Sequence, residues 1–204
     1  MPSRRQSEPS GTRSAILDAA ERMVQTRGFN GFSFADVAAE LKITTAALHY
    51  HFAGKAALGG ALIERYSARF GEALDGIAAM DGPAPAKLRA YADLYLGVLR
   101  EQRMCLCGML AAEYQTLPDP MRTSVVSFLD QNCEWLSALL EAGRSERSLH
   151  FDGTAPAAAR MIVGALEGAM LVSRPYADTE HFELIANRLI DDLTRPARPA
   201  RARR

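Results

Sequence analysis

The chain has 204 residues, enough for one large or two small domains, and 48% of them are apolar, which allows a buried core. Lysine plus arginine balance aspartate plus glutamate at 24 each, so a bulk basic field is excluded and any affinity for nucleic acid has to come from local patches. Three cysteines, an odd number, argue against a disulfide framework. No apolar run approaches the ~20 residues of a membrane span, and the opening MPSRRQSEPSGTR lacks the apolar stretch of a secretory signal; the expected location is the cytoplasm. Lysine occurs only at Lys42, Lys55 and Lys87, so almost all positive charge is arginine.

Residues 1–11 are polar, carry two prolines and read as a disordered arm. Arg4 and Arg5 fit a basic minor-groove arm or a solvated tail equally well. The first predicted helix runs from about Thr12 to Arg27 and stops at Gly28, with Ile16, Leu17, Ala20, Met23 and Val24 as its buried stripe. Ser33–Lys55, SFADVAAELKITTAALHYHFAGK, then reads as a short helix, a tight turn, a second short helix and the start of a third. Ser33 is a cap candidate with Asp36 at the third position, a capping box with a shortened acid. Phe34, Val37, Ala38 and Leu41 recur at helical spacing. Lys42-Ile43 makes the turn, Thr44 caps the next helix, and Leu48 and Phe52 point inward, which leaves Thr45, Ala46, His49 and Tyr50 pointing elsewhere. A short, narrow helix with small residues in its N-terminal half suits a DNA major groove, its partner helix crossing the backbone. The same spacing also fits a helical hairpin in any all-α domain.

The fourth helix, from near Gly54 to about Ala79, carries Leu58, Leu62, Ile63, Tyr66, Phe70, Leu74 and Ile77, and Lys55 in its first turn is placed to meet a phosphate. Gly82-Pro83-Ala84-Pro85 breaks the pattern. Helices of about Ala86–Glu101, Met104–Thr116 and Met121–Ala142 follow, the last stopping at Gly143. Thr154 caps an eighth helix reaching about Arg174, and a ninth spans about Asp178–Leu193. Strand signals are absent. The tail 194–204 is rich in arginine and proline, a disordered segment or a source of salt-sensitive phosphate affinity.

Thr12–Phe70 resembles the DNA-binding half of a TetR-family repressor. The residues that carry the likeness are Ile16, Leu17, Ala19 and Ala20; Gly28-Phe29; Ser33, Asp36, Val37, Ala38 and Ala39; Ile43-Thr44; Ala47-Leu48; Tyr50-His51-Phe52; and Lys55 and Leu58. Three positions depart from the family pattern: His49 stands where a tyrosine is usual, Lys42 where a turn glycine is usual, and Phe32 where a threonine is usual. A non-glycine residue with positive φ costs about 1 kcal/mol. The resemblance implies an all-α fold of about nine helices. On that resemblance, residues 12–54 are expected to form a three-helix helix-turn-helix DNA-binding domain, and 55–193 a helical ligand-binding and dimerisation domain.

It further implies a homodimer built on the last two helices, through Met161, Gly164, Ala165, Gly168, Leu171, Phe182, Ile185 and Leu189. A twofold dimer sets two recognition helices about one DNA turn apart, on a palindromic operator in double-stranded DNA. The DNA-contact candidates are Ser33, Thr44, Thr45, Ala46, His49, Tyr50, His51 and Lys55. Thr44–His51 has none of the Arg, Lys, Asn or Gln residues that form paired hydrogen bonds to bases. Specificity then rests on apolar contacts, shape and dimer spacing.

In such proteins an interior pocket takes a small-molecule effector; here Tyr66, Phe70, Tyr91, Tyr95, Cys105, Met109, Tyr114, Phe128, Trp135 and Met161 are the candidates, against the plain reading that they are core. On a helix, Cys105 and Cys107 lie about 200° apart and neither chelate one metal nor pair. CLCGMLAAE resembles the start of the sixth helix in a subgroup that senses electrophiles or oxidants, where a reactive cysteine stands eight residues before a glutamate, the spacing of Cys105 to Glu113. A helix N-terminus, with Arg100 and Arg103 nearby, favours a thiolate; small buried hydrophobes are the alternative. Cys133, mid-helix, reads as inert.

No cofactor or metal is expected. His49, His51, His150 and His181 show no metal spacing with acids or cysteines, and no phosphate-binding glycine loop or Gly-x-Ser-x-Gly elbow occurs, so an enzyme is not expected. The reading is a repressor released by a small molecule or by modification of a cysteine in the sixth helix. The alternative is an all-helical dimeric interaction or ligand-binding protein without specific DNA binding.

Overall fold

The computed structural model describes residues 9–195. Among them it contains nine α-helices and no strand: α1 Pro9–Arg27, α2 Phe34–Leu41, α3 Thr45–His51, α4 Lys55–Ala79, α5 Ala84–Arg100, α6 Leu106–Ala112, α7 Asp119–Ser145, α8 Ala155–Ser173 and α9 Glu180–Thr194, with 3₁₀ turns at Tyr114–Thr116 and Arg174–Tyr176. The all-α architecture is the one expected. α1 starts at Pro9, three residues before the expected Thr12. Arg4, Arg5 and the tail beyond Arg195 lie outside the described residues.

The chain forms two compact units that do not follow chain order. The first holds the residues up to Ala68 and takes back Cys105–Ser127; the second holds Arg69–Met104 and the residues from Phe128 on. In the first, α1 buries Ile16, Leu17, Ala19, Ala20, Met23 and Val24 and packs on α2 and α6. An ion-pair clamp joins α1 to α4: Arg65 donates to Asp18 and Glu21 at 2.7 Å each, and Glu21 is buried. α2 in turn packs on α3, whose Leu48 and the following Phe52 are buried; each such side chain contributes about 2–3 kcal/mol through its area removed from water.

In the second unit α8 packs along α9, and both touch α5. α7 continues to Ser145, past the Gly143 at which the sequence pattern suggested a stop. Gly143 is there for close approach instead: a Cβ would lie 2.5 Å from Leu149 Cδ1 and 2.7 Å from the Ala84 Cβ. The helix ends through Arg147, in the left-handed region at φ 58, with Ser148 N–H donating to the Gly143 carbonyl at 2.8 Å. One helical stretch, Ala155–Tyr176, is long and apolar enough by length and composition to cross a membrane, which corrects the expectation that no stretch approaches that length. Its apolar residues Ile162, Val163, Leu166 and Met170 are buried inside the unit.

Candidate nucleic-acid interface

The helix pair is built by its caps. Ser33 N–H and Oγ–H both donate to Asp36 Oδ2 at 2.6 Å, and Asp36 N–H returns a bond to Ser33 Oγ at 3.3 Å. This capping box, above all the Ser33 hydroxyl bond, holds the Asp36 carboxyl below its ordinary value. α2 ends through Lys42 at φ 55, ψ 40; the Ile43 N–H reaches the Ala38 carbonyl at 3.0 Å and the Lys42 N–H reaches Ala39 at 3.2 Å, the paired closure of a left-handed helix end. The turn keeps the shape a glycine would give, with a lysine in the strained conformation. Thr44 Oγ1 then accepts from Ala47 N–H at 3.2 Å and starts α3.

With Leu48 and Phe52 inward, the outer face of α3 is Thr45, Ala46, His49 and Tyr50, all exposed. Tyr50 is 81% exposed, the most open large apolar side chain described. The His49 ring lies 5.0 Å from that of Phe34, and the half-buried His51 meets Tyr50 edge-on at 5.1 Å. Ser33 and Thr44 sit at exposed helix starts, each hydroxyl already used as a cap.

Lys55 is placed differently from the expectation of a phosphate ligand. It is half-buried, donates to the Phe32 carbonyl, and lies over the rings of Phe29 (4.7 Å) and Phe32 (4.5 Å). Burial pushes its ammonium below the ordinary lysine value, against the Glu113 and Asp36 carboxylates, which pull the other way. Its geometry is that of a loop holder. Phe32, where the family pattern has threonine, supplies both the carbonyl and one of the rings.

A second holder was not visible in the sequence. Glu113, the C-cap of α6, accepts from the Phe29 N–H at 2.5 Å and the Asn30 N–H at 3.2 Å, and Asn30 Nδ2 donates to Thr116 Oγ1 at 2.7 Å. Gly28, at φ +85, leaves room for it: a Cβ there would lie 2.6 Å from Glu113 Oε1. The loop between α1 and α2 is thus gripped by an ammonium on one element and a carboxylate on another. Arg13, on α1, covers the Phe52 ring at 5.1 Å.

The expected effector residues are divided between the two units. Tyr66, Cys105, Met109 and Tyr114 belong to the first unit, and Phe70, Tyr91, Tyr95, Phe128 and Trp135 to the second. Cys105 does not lie within a helix beside Cys107; it is the N-cap of α6, so the 200° argument does not apply to the pair. Its sulfur, 2% exposed with its residue, accepts from Gly108 N–H at 3.4 Å and Tyr66 O–H at 3.6 Å. Arg100 and Arg103 pair with Glu183 and Glu101. Burial pushes the half-buried Cys133 thiol up.

In the second unit three buried polar groups close a ring. Tyr91 donates to Asn132 Oδ1 at 2.7 Å, Asn132 Nδ2 donates to the Tyr95 oxygen at 3.0 Å, and the two phenols are 3.0 Å apart. Phe70 and Phe128 pack edge-on around them at 5.2 Å from each other, and Trp135 stacks on Tyr91 at 5.7 Å. Met161 does not belong here: at 53% exposed it points out of α8. Phe182, expected in a dimer face, is 1% exposed and belongs to the inner stripe of α9 with Ala186, Ile190 and Leu193. What α8 and α9 leave open is Met161, Leu171, Val172 and Leu184, with Gly164 and Gly168 exposed between them, while Ala165, Ile185 and Leu189 are half-buried. Among the described residues no cluster could hold a metal ion.

Two family models match the chain, that of the bacterial regulatory proteins of the tetR family over residues 16–62 and that of the tetracyclin repressor-like C-terminal domain over residues 84–189. The HTH-type transcriptional repressor NemR of Escherichia coli strain K12 is 25% identical over 177 residues, 83% of this chain and 89% of NemR. Transcriptional regulator AcuR of Cereibacter sphaeroides is 27% identical over 162 residues, 77% of this chain and 74% of AcuR. A TetR-family regulator from Agrobacterium tumefaciens superposes with a TM-score of 0.88 at 28% identity, covering 92% of this chain and all of that one. The reduced form of E. coli NemR does so with 0.79 at 25% identity, over 91% and 99%. A helix-turn-helix with both caps in place, an all-helical second unit and matches across both halves have one meaning: the chain belongs to the TetR family of transcriptional regulators, and is a DNA-binding repressor of that type.

Proposed function

We propose that the outer face of α3 reads a palindromic operator as part of a homodimer, through Thr45, Ala46, His49 and Tyr50, with the helix starts that follow Ser33 and Thr44 toward phosphates. The observation that carries this is the exposure of those four side chains on a helix fixed by two caps and a buried Leu48. Thr45 and Ala46 suit thymine methyls, while His49 and Tyr50 reach phosphates or single base edges. The open apolar strip of α8 and α9 is the dimer face; its two glycines leave space for a second backbone. Lys55 acts through the loop it holds. The protein works in the cytoplasm as a regulator and not as a catalyst.

Release from DNA has two readings, each resting on a separate observation. One is a small molecule at the aromatic cluster around Tyr91, Tyr95 and Asn132. The other is modification of Cys105, favoured by two hydrogen-bond donors aimed at its sulfur and by the likeness to NemR, a structure of whose reduced form is similar to this one. In that reading α6 is the lever: the thiol caps one end of its seven residues, and Glu113, which holds the loop entering α2, caps the other. Bulk at the sulfur shifts α6 and loosens the loop.

The test is selection of duplexes from random DNA, followed by titration of the selected operator with wild type, Cys105→Ser and Cys133→Ser, each before and after a small alkylating agent. Binding to a palindrome by two protomers supports the first proposal, and no enrichment refutes it. Release by the reagent in wild type and Cys133→Ser but not in Cys105→Ser supports the thiol reading. Indifference of all three leaves release to a noncovalent ligand.

A further inference from the structure

Within Ile43–Gly54, the whole of α3 with its flanks, there is no lysine, arginine, aspartate or glutamate. The face left open by Leu48 and Phe52 therefore has one side chain able to carry positive charge, His49; the other imidazole, His51, is half-buried beside Tyr50. We infer that protonation of His49 supplies the positive charge with which this helix meets the phosphate backbone, so that operator affinity is linked to pH. The inference rests on α3 being the groove-facing helix.

The surroundings leave the imidazole exposed on the outer side of α3. From α2 the Phe34 ring packs on it at 5.0 Å. The two acids of α2 are engaged elsewhere, Asp36 with Ser33 and Glu40 with Arg22. Of the nearby cations, Lys42 lies exposed at the turn, Lys55 is on the Phe32 carbonyl and Arg13 covers Phe52. Imidazoles change charge between pH 5 and 8. A phosphate neighbour favours the charged form, so binding takes up a proton and tightens as the pH falls. Each protomer then adds about one phosphate neutralised, which steepens the salt dependence in acid.

The test is fluorescence anisotropy on a selected operator at pH 5.5, 7.0 and 8.5 at constant ionic strength. Wild type is expected to gain about tenfold in affinity from pH 8.5 to 5.5. His49→Gln is expected to stay flat at the wild-type alkaline affinity, and His49→Lys flat at the acid affinity; His150→Gln, in the second unit, keeps the wild-type slope. Circular dichroism checks that the variants are folded. A slope that persists in His49→Gln, or that disappears only in His51→Gln, overturns the assignment. Specific binding that is pH-independent in wild type overturns the inference and leaves the groove-facing reading of α3 standing, whereas no specific binding at any pH overturns both.

Discussion

Removing the Glu113 carboxylate tests how the helix-turn-helix is held. Glu113→Ala strips the acceptor from the Phe29 N–H, at 2.5 Å and part-buried, and from the Asn30 N–H, at 3.2 Å and exposed. A hydrogen bond to a charged acceptor contributes about 1.5–3 kcal/mol when shielded; the exposed one counts for little, so the loss should be about 2 kcal/mol. Glu113→Gln keeps an acceptor without charge and should lose about half of that. Gly28→Ala attacks the same contact from the other side. A side chain at φ +85 costs about 1–2 kcal/mol, and a Cβ 2.6 Å from Glu113 Oε1 pushes the carboxylate off its donors. The two substitutions share one interaction, so the double variant should be less destabilised than the sum by about 1 kcal/mol. Urea unfolding followed by circular dichroism measures all four free energies, because Trp135, the lone tryptophan, reports on the other unit. An unchanged stability in Glu113→Ala, or strict additivity with Gly28→Ala, would refute the clamp.

Lys55→Ala should lower the unfolding free energy by about 1–2 kcal/mol, since a lysine over two rings and on a carbonyl is lost, while the salt dependence of DNA binding stays the same; a slope flattened by about one would return the ammonium to a phosphate. The capping box should weaken in acid. The folded Asp36 carboxyl is held below its ordinary 3.8, so its contribution is full above that value and fades as pH falls through the lower folded one; Asp36→Asn should remove this part of the acid dependence in a pH series of thermal melts. Leu171→Arg, at a position 61% exposed in the single chain, should yield monomers of unchanged helicity by light scattering, and a persistent dimer would move the interface off α8.

Local chemistry was legible where a side chain acts on its own neighbourhood. Ser33 with Asp36 and Thr44 with Ala47 follow from spacings of three residues, and the strained turn at Lys42 from the glycine that the resembled family has there. The inward Leu48 and Phe52 follow from helical period. Long-range bonds left no such signal. Glu113 meets Phe29 across 84 residues; in the sequence it stands out only by its spacing of eight from Cys105, which points to neither Phe29 nor Asn30. Cys105 read as helical because Met104–Cys107 is continuously apolar or small, yet it forms the cap. Met161 and Phe182 were misplaced for one reason: helices at the edge of a bundle carry apolar residues on an inner and an outer face, and period alone does not say which face is covered. Gly143 read as a stop because close packing and helix termination select the same residue.

The most direct test of the central claim is Ala46→Glu on a selected operator. Ala46 is exposed in the first turn of α3, so a carboxylate there costs the fold little and sets a negative charge against DNA. Quantitative gel shift should show at least about a hundredfold loss of affinity, with thermal stability and dimerisation unchanged. Wild-type affinity in Ala46→Glu would show that this face does not meet the operator.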